Sequence, residues 1–187
     1  MPVMVFDGTA AQFGTLDSGT LSVESDHFSA VNLKFVNSAP RPDGKRVGAQ
    51  AVAFKIAGEY ASFYNCRFHG FQDTLCDDRG KHLFKDCYVE GTVDFIFGSG
   101  QSLYLNSEIH VIPGDAMSFI TAHSRSKHDE ANGTVYFGEY HNQGPGADLS
   151  KRAPFAKQLS DAEVKPFISL AYIEGSKWLL PPATPRV

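Results

Sequence analysis

The segment Phe63-Tyr64-Asn65-Cys66-Arg67-Phe68 recurs in related form at three other places in the chain. The related segments are Ala30-Val31-Asn32-Leu33-Lys34-Phe35, Phe84-Lys85-Asp86-Cys87-Tyr88-Val89 and Tyr104-Leu105-Asn106-Ser107-Glu108-Ile109. Their shared Asn/Asp position falls at 32, 65, 86 and 106, which gives intervals of 33, 21 and 20 residues. The longer first interval contains the stretch 39–47, rich in Pro, Gly and charged residues, which predicts a surface loop.

A period of about 20 residues, carried by short alternating segments, is typical of stacked repeat proteins. Leucine-rich horseshoes share this period, but their leucine consensus is absent and no helical half-repeat lies between the segments. We therefore predict an all-β fold, a single-stranded right-handed parallel β-helix with a short C-terminal helical or irregular tail. Each coil of such a solenoid contributes short strands that pair in parallel with those of the next coil.

The same pattern divides a single domain, 1–187, into three parts. Coils are expected over 1–125, a polar and charged junction loop over 126–134, and a C-terminal strand, short helix and capping tail over 135–187. The capping-box sequence Ser160-Asp161-Ala162-Glu163 predicts the start of the short helix. The tail containing Trp178 is expected to pack on the solenoid, because an exposed end of a β-helix must be covered.

Two aspartates stand 21 positions apart in apolar surroundings, Asp73 within Phe71-Gln72-Asp73-Thr74-Leu75 and Asp94 within Val93-Asp94-Phe95-Ile96-Phe97-Gly98. Residues one coil apart lie on adjacent strands, roughly 4.8 Å from each other, so we expect the two carboxyl groups to be neighbours. Two such groups cannot both ionise freely, so that one pKa should rise while the other stays low. This arrangement places a proton donor beside an anionic nucleophile or base. The alternative is that both aspartates cap strand ends in turns.

Amide and aromatic side chains accompany the aspartates. Gln50 lies 22 positions before Gln72, again about one coil, and an amide column there could donate hydrogen bonds to a developing oxyanion. An amide ladder that satisfies its own hydrogen bonds is an equally good interpretation. Most of the 15 phenylalanines are expected in the core, whereas Phe71 and Phe95 could form a platform for a sugar ring.

The bulk composition argues against several classes of function. The net charge is −4, from 17 basic and 21 acidic residues without a basic block, which argues against a nucleic-acid partner and a polybasic membrane patch. No apolar run approaches the roughly 20 residues of a membrane helix. The seven histidines lack the spacing of metal ligands. The first residues lack the features of a signal peptide, which suggests a mature fragment or a truncated isoform.

Three cysteines and one sequon leave further alternatives open. Cys66 and Cys87 share one column of the repeat and should stack on adjacent coils, either as buried thiols or as a disulfide. Cys76 has no evident partner. The glycosylation sequon at Asn132 is meaningful only if the protein is secreted.

Several motifs, in order along the chain, resemble those of the pectin methylesterase family, especially its plant, pollen-type members. They are Gln50-Ala51-Val52-Ala53, Gln72-Asp73-Thr74-Leu75, Gly91-Thr92-Val93-Asp94-Phe95-Ile96-Phe97-Gly98, Ile120-Thr121-Ala122-His123-Ser124-Arg125, and Tyr136-Phe137-Gly138-Glu139-Tyr140 with Gly144-Pro145-Gly146-Ala147. The resemblance covers nearly the whole chain. It implies the same fold that the repeat predicts, a right-handed parallel β-helix.

The resemblance also implies an activity, the hydrolysis of methyl esters of polygalacturonate (pectin) with release of methanol, in cell wall modification. Asp94 would be the nucleophile and Asp73 the general acid and base. Gln72 and Gln50 would stabilise the tetrahedral oxyanion. The candidate substrate contacts are Phe71, Phe95 and Thr74.

The same resemblance implies how the protein would work in its surroundings. Neither a metal nor a cofactor is expected. The expected partner is pectin, with a proteinaceous pectinesterase inhibitor as a further one, and the expected state is a secreted, cell-wall monomer.

Two features of the family have no match in the chain. One is the L-G-R-P-W or L-G-R-A-W motif, whose arginine positions the nucleophile and whose tryptophan contacts substrate; the single tryptophan is Trp178, in the tail. The other is the G-x-Y-x-E stretch with the first coils. Loss of the arginine should raise the pKa of Asp94 and loosen its orientation. Arg125 is another cation in the sequence, but its spacing gives no geometric reason to place it at the site.

Two alternative functions follow. The first is a catalytically impaired isoform or fragment that binds pectin or another partner. The second is a polygalacturonase or pectate lyase, which the chain fits poorly because the calcium-binding acidic clusters and local motifs of those enzymes are absent from the sequence.

Overall fold

The computed structural model describes residues 1–114, 118–123, 137–148, 150, 152–154 and 156–179. The main body consists of three parallel sheets, which each coil of the chain visits in turn. Sheet 1 consists of β1 (Val3–Phe6), β4 (Lys34–Asn37), β7 (Arg67–His69), β10 (Tyr88–Gly91) and β13 (Glu108–Val111). Sheet 2 consists of β2 (Leu21–Val23), β5 (Phe54–Ile56), β8 (Leu75–Asp77), β11 (Ile96–Phe97) and β14 (Thr121–Ala122). Sheet 3 consists of β3 (Ser29–Val31), β6 (Ala61–Tyr64), β9 (Lys81–Lys85) and β12 (Gln101–Leu105).

The register of these strands follows the sequence repeat. Phe54 in β5 pairs with Leu75 in β8, and Leu75 pairs with Ile96 in β11, so that each step along sheet 2 is one coil. Sheets 1 and 3 are built in the same way from parallel neighbours. The predicted parallel β-helix is therefore confirmed.

The Asn/Asp column of the repeat forms the corner between sheets 3 and 1. Asn32, Asn65, Asp86 and Asn106 all adopt left-handed backbone conformations, with φ between 48° and 57°. Asparagine and aspartate tolerate this region better than other side chains do. Asn65 Nδ2 donates to Asn32 Oδ1 at 2.7 Å, and Asn106 Nδ2 donates to Asp86 Oδ1 at 2.5 Å. The residue that made the repeat visible is thus the one that turns the chain at each coil.

Aromatic side chains fill the interior of the coils. Phe63, Phe84 and Tyr104 stack in successive coils, with ring centroids 4.6 Å and 4.5 Å apart. Cys66 and Cys87 are buried in the same core and carry free thiols, which agrees with the buried-thiol interpretation rather than a disulfide. Stacked rings in register contribute packing beyond the area they bury, which stabilises one coil on the next.

Short elements lie outside the three sheets. α1 (Ala10–Phe13) is a helical turn after β1, and the pair β15 (Phe137–Glu139) and β16 (Ala156–Gln158) forms a small parallel sheet. α2 (Asp161–Val164) begins after Ser160, which forms the predicted capping box with Glu163. Among the described residues, 3₁₀ turns lie at Pro145–Ala147, Leu170–Ile173 and Gly175–Lys177. In the described part of the chain, none of the helices is long and apolar enough to cross a membrane.

The C-terminal tail lies on the flank of sheet 3 rather than on an end of the solenoid. Ile173 is fully buried against Leu83 and Leu103 of that sheet. The Trp178 ring lies 5.6 Å from the Tyr60 ring. The tail goes there because the two leucines make this outer face apolar. The predicted junction loop 126–134, Arg125 and the Asn132 sequon lie outside the described residues.

Candidate active site

Asp73 and Asp94 occupy equivalent corners between sheets 1 and 2. Asp73 follows β7 and precedes β8, whereas Asp94 follows β10 and precedes β11. The backbone N–H of Asp73 donates to the Val93 carbonyl at 3.1 Å, and that of Leu75 donates to the Phe95 carbonyl at 2.9 Å. In a parallel pair this pattern sets Asp73 beside Asp94 on adjacent coils.

The backbone at both aspartates is left-handed, with φ of 65° at Asp73 and 51° at Asp94. Residues held in this sparsely populated region concentrate at functional sites. Within the described residues, neither carboxylate accepts a side-chain or backbone hydrogen bond. The interpretation that these aspartates cap turns needs such bonds, so the structure does not support it.

The two carboxyl groups differ in how readily they ionise. Burial, with the nearby charge of Asp94, raises the pKa of Asp73 to about 7. Burial also raises the pKa of Asp94. No cation among the described side chains offsets this burial for Asp94. The charge of an ionised Asp94 contributes to the raised pKa of Asp73, which corresponds to a pair in which Asp94 ionises first and Asp73 keeps its proton below about pH 7.

The raised pKa of Asp73 makes the stability of the fold depend on pH. Because its pKa is higher in the folded chain than in the unfolded chain, a protonated Asp73 stabilises the fold relative to an ionised Asp73. This stabilisation is complete below the unfolded-state pKa of about 3.9 and is lost as the pH rises through the folded-state pKa. We expect Asp73→Asn to unfold at about the same urea concentration as the parent at pH 4. At pH 8 it should be more stable by about 1–3 kcal/mol, a range reduced for the partial exposure of the side chain. Equal stability at pH 8 would show that Asp73 ionises without cost.

A bulge in the preceding coil aligns the glutamines. The N–H of Ala51 donates to the Gln72 carbonyl at 3.1 Å, while those of Ala53 and Phe54 both donate to the Thr74 carbonyl, at 2.8 Å and 3.3 Å. Two residues thus oppose one, as in a β-bulge, and the offset between the coils changes there from 22 residues to 21. The offset of 22 on the N-terminal side is the interval between Gln50 and Gln72.

The two glutamines do not form a ladder with each other. Gln50 Nε2 donates to Thr15 Oγ1 at 3.1 Å, and both glutamine side chains are partly exposed. The structure therefore does not support an amide ladder between Gln50 and Gln72, although the two residues lie on adjacent coils.

Two of the three predicted substrate contacts are corrected by the structure. Phe95 is 0% exposed and belongs to the core, and Thr74 is equally buried with its Oγ1 donating to the Phe71 carbonyl at 3.2 Å. Neither can contact a sugar ring from the interior. Phe71 remains a candidate because its ring is partly exposed.

Gly91 is a site residue that the sequence analysis did not single out. A Cβ atom at this position would lie 2.2 Å from Phe95 Cβ and 2.6 Å from the Phe71 carbonyl oxygen. The bare glycine lets the end of β10 approach Phe71 closely, and the N–H of Thr92 donates to that carbonyl at 3.0 Å. A glycine within a strand is a recognised sign of such an approach.

The described side chains include no group of three or more His, Cys, Asp or Glu arranged to hold a metal ion. The chemistry that the described corner offers is that of a carboxylate nucleophile, a protonated carboxyl group and nearby amides.

Comparison with known proteins gives the family. The family model described as Pectinesterase matches residues 5–135. Pectinesterase 1 of Olea europaea is 53% identical, with 97% of this chain and 64% of the relative covered. Putative pectinesterase 63 of Arabidopsis thaliana is 45% identical, with 97% of this chain and 69% of the relative covered.

The same comparisons concern the length and the fold of the chain. The chain spans 64% of the length of the Olea relative, and the alignment runs over 232 positions against 187 residues here, so the relative has internal residues without a counterpart. Pectin methylesterase from carrot superposes with a TM-score of 0.78 at 23% identity, with 95% of this chain and 75% of the carrot chain covered. That likeness supports the β-helix. By its sequence, the chain belongs to the pectinesterase family.

Proposed function

We propose that this chain is a pectinesterase that hydrolyses the methyl esters of polygalacturonate to free carboxylate and methanol. The observation that carries the proposal is the pair of Asp73 and Asp94 on adjacent coils, one with a pKa raised to about 7 by burial and by the charge of the other. Covalent ester hydrolysis by carboxylates requires one ionised carboxylate that attacks the ester and one protonated carboxyl group that donates a proton.

In the first half of the proposed reaction, the Asp94 carboxylate attacks the ester carbonyl carbon. The resulting oxyanion accepts hydrogen bonds from the side-chain amides of Gln50 and Gln72. The intermediate collapses by breaking the bond to the methoxy group, which leaves as methanol with the proton of Asp73. An anhydride between Asp94 and the galacturonate carboxyl group remains, beside an ionised Asp73.

In the second half, Asp73 acts as a general base. It takes a proton from a water molecule, whose oxygen attacks the anhydride. The bond between the acyl carbon and Asp94 breaks, so that Asp94 regains its ionised form, and Asp73 keeps the proton taken from water. The new galacturonic acid group departs and loses its own proton to solvent. Phe71, partly exposed at the same corner, would contact the sugar ring.

The proposal extends to the surroundings in which the family acts. It treats 1–187 as one domain that acts as a secreted monomer on pectin in the plant cell wall. A proteinaceous pectinesterase inhibitor would be its protein partner. One of the solved relatives is a pectin methylesterase in complex with a hexasaccharide, which supports an oligosaccharide as the ligand class.

A second candidate function is pectin binding without hydrolysis. It is favoured by one observation, that no described cation lowers the pKa of Asp94, since an unpositioned nucleophile is a weak one. Methanol release and binding, both measured on highly methylated pectin with the purified chain, separate the two. Release supports the esterase, whereas binding by a folded chain without release would leave the second function.

A further inference from the structure

The loop between β4 and β5, residues 38–50, is here called the strap, and it is fixed at both ends. At its start, Asn37 is only 3% exposed and its Oδ1 accepts the N–H of Ala39 at 3.0 Å. At its end, the Gly48 carbonyl accepts the N–H of Ala11 at 2.8 Å, which attaches the strap to α1. Both ends are therefore held by hydrogen bonds to the body of the solenoid.

The middle of the strap is ordered by its own hydrogen bonds. Asp43 Oδ1 accepts the backbone N–H groups of Lys45 and Arg46, both at 3.0 Å. Arg46 Nη2 donates to the Arg41 carbonyl at 2.9 Å. These bonds fix the backbone of Arg41 in a defined position.

The side chain of Arg41 leaves the strap and reaches the turn after β13, one coil beyond the coil of Asp94. Its Nη1 donates to the Pro113 carbonyl at 2.9 Å, and its Cζ lies 5.9 Å from the centroid of the Phe71 ring. A Cβ atom on Gly114 would lie 3.2 Å from Nη1, so the guanidinium fits closely against this turn. The distance to the ring is within the range of a cation–π contact.

The contacts of Arg41 span three coils. Phe71 follows β7 and the carbonyl bound by Arg41 follows β13, with β10 between them, a separation of roughly 10 Å at the usual strand spacing. Backbone bonds join these positions, since Thr92 donates to Phe71 at 3.0 Å and Ile112 donates to Gly91 at 2.8 Å. The chain enters the aspartate corner directly after this row of residues.

We propose that Arg41 is a positioning residue that ties the strap to the solenoid and holds Phe71 as one wall of the substrate site. The guanidinium contacts the ring and is tied to the far coil, so the ring has a fixed place beside Gln72 and Asp73. A rigid aromatic wall lowers the entropy lost when a sugar ring packs on it. The role of the wall in catalysis rests on the proposed esterase function, whereas the attachment of the strap does not.

The test compares Arg41→Ala with Lys45→Ala, which removes the same charge from an exposed position of the same strap. On methylated pectin, Arg41→Ala should raise KM by about 5-fold or more and leave kcat within about 2-fold, because it removes binding and not chemistry. Arg41→Lys should recover only part of the loss, since an ammonium lacks the planar fork of arginine. Lys45→Ala should match the parent.

A second measurement is independent of activity. Val47 is 94% exposed, and the bond after Arg46 is a trypsin site that all three variants keep. If Arg41 holds the strap, trypsin should cut at this bond about 10-fold faster in Arg41→Ala than in Lys45→Ala, while both keep the circular dichroism of the parent.

The outcomes separate the two proposals. Equal cleavage of the two alanine variants would overturn the attachment of the strap by Arg41. Faster cleavage with an unchanged KM would overturn its role in the substrate site. A parent chain that releases no methanol would overturn the esterase proposal. The attachment of the strap by Arg41 would then be tested by the cleavage rates alone.

Discussion

Asp94→Asn is expected to lower methanol release from methylated pectin by about 10³-fold or more, because the substitution removes the proposed nucleophile. Asparagine tests the nucleophile with less disturbance of the backbone than alanine does. It accepts the left-handed conformation that Asp94 adopts, with φ of 51°, so the corner should keep its shape. The initial rate of release, measured on protein with the parent's circular dichroism, gives the effect.

The matched control for this variant is Asp86→Asn. Asp86 also sits at a left-handed corner, with φ of 56°, and its equivalents in the repeat are Asn32, Asn65 and Asn106. The control removes the same charge at an exposed position away from the aspartate pair, so its rate should stay within about 2-fold of the parent. If Asp94→Asn kept a tenth of the parent rate, Asp94 would not be the nucleophile.

Asp77→Ala is expected to destabilise the fold by about 3–5 kcal/mol at pH 6, because it leaves a buried charge without its partner. His82 is 0% exposed and Asp77 is 5% exposed. His82 Nδ1 lies 2.6 Å from Asp77 Oδ1, and His82 Nε2 lies 2.8 Å from the Gly58 carbonyl oxygen. The hydroxyl of Tyr104 donates to the other Asp77 oxygen at 2.9 Å.

Both ring nitrogens of His82 face acceptors, so both must donate, which only the imidazolium can do. Burial lowers the pKa of His82, but the Asp77 carboxylate and the Gly58 carbonyl together raise it above its usual value. Stabilisation by a group with a raised folded-state pKa is complete below its unfolded pKa of about 6.5 and is lost as the pH rises through the folded-state pKa. The difference between the parent and Asp77→Ala should therefore shrink at alkaline pH.

Urea unfolding at pH 6 and pH 9 measures both effects. The control is Asp78→Ala, the adjacent carboxylate, whose side chain takes no part in this network and whose loss should cost about 0.5 kcal/mol or less. A cost below about 1 kcal/mol for Asp77→Ala at pH 6 would mean that the pair of Asp77 and His82 does not hold the coils together.

The fold was readable from the sequence because each coil repeats one local requirement. A left-handed corner residue, such as Asn65 or Asp86, must recur wherever the chain turns from sheet 3 into sheet 1. Its spacing therefore reports the length of the coil, and that length sets Asp73 beside Asp94.

The substrate contacts were less predictable, because corners do not follow the alternation of a strand. Phe95 and Thr74 flank the aspartates in sequence, yet beside the left-handed backbone of Asp73 and Asp94 both side chains lie in the core. Sequence alone does not give the orientation of a side chain beside such a turn.

The contact of Arg41 was also hidden from the sequence. Arg41 meets Pro113 across 72 positions, and a long side chain that bridges coils leaves no periodic signal. The tail on the flank of sheet 3 is a similar case, because the outward-facing leucines that it covers belong to strands whose alternation also fits a core role.

The most direct test of the aspartate pair is a pH titration of Asp73, followed by carbon-13 NMR of its side-chain carboxyl group. We expect a midpoint near pH 7 in the parent chain, because the pKa of Asp73 is raised to about 7 by burial and by Asp94. In Asp94→Asn the midpoint should fall, while remaining above the ordinary value of about 3.9 because the burial persists. A midpoint near pH 4 in the parent, or one that Asp94→Asn leaves unchanged, would contradict the coupled pair on which the proposed mechanism depends.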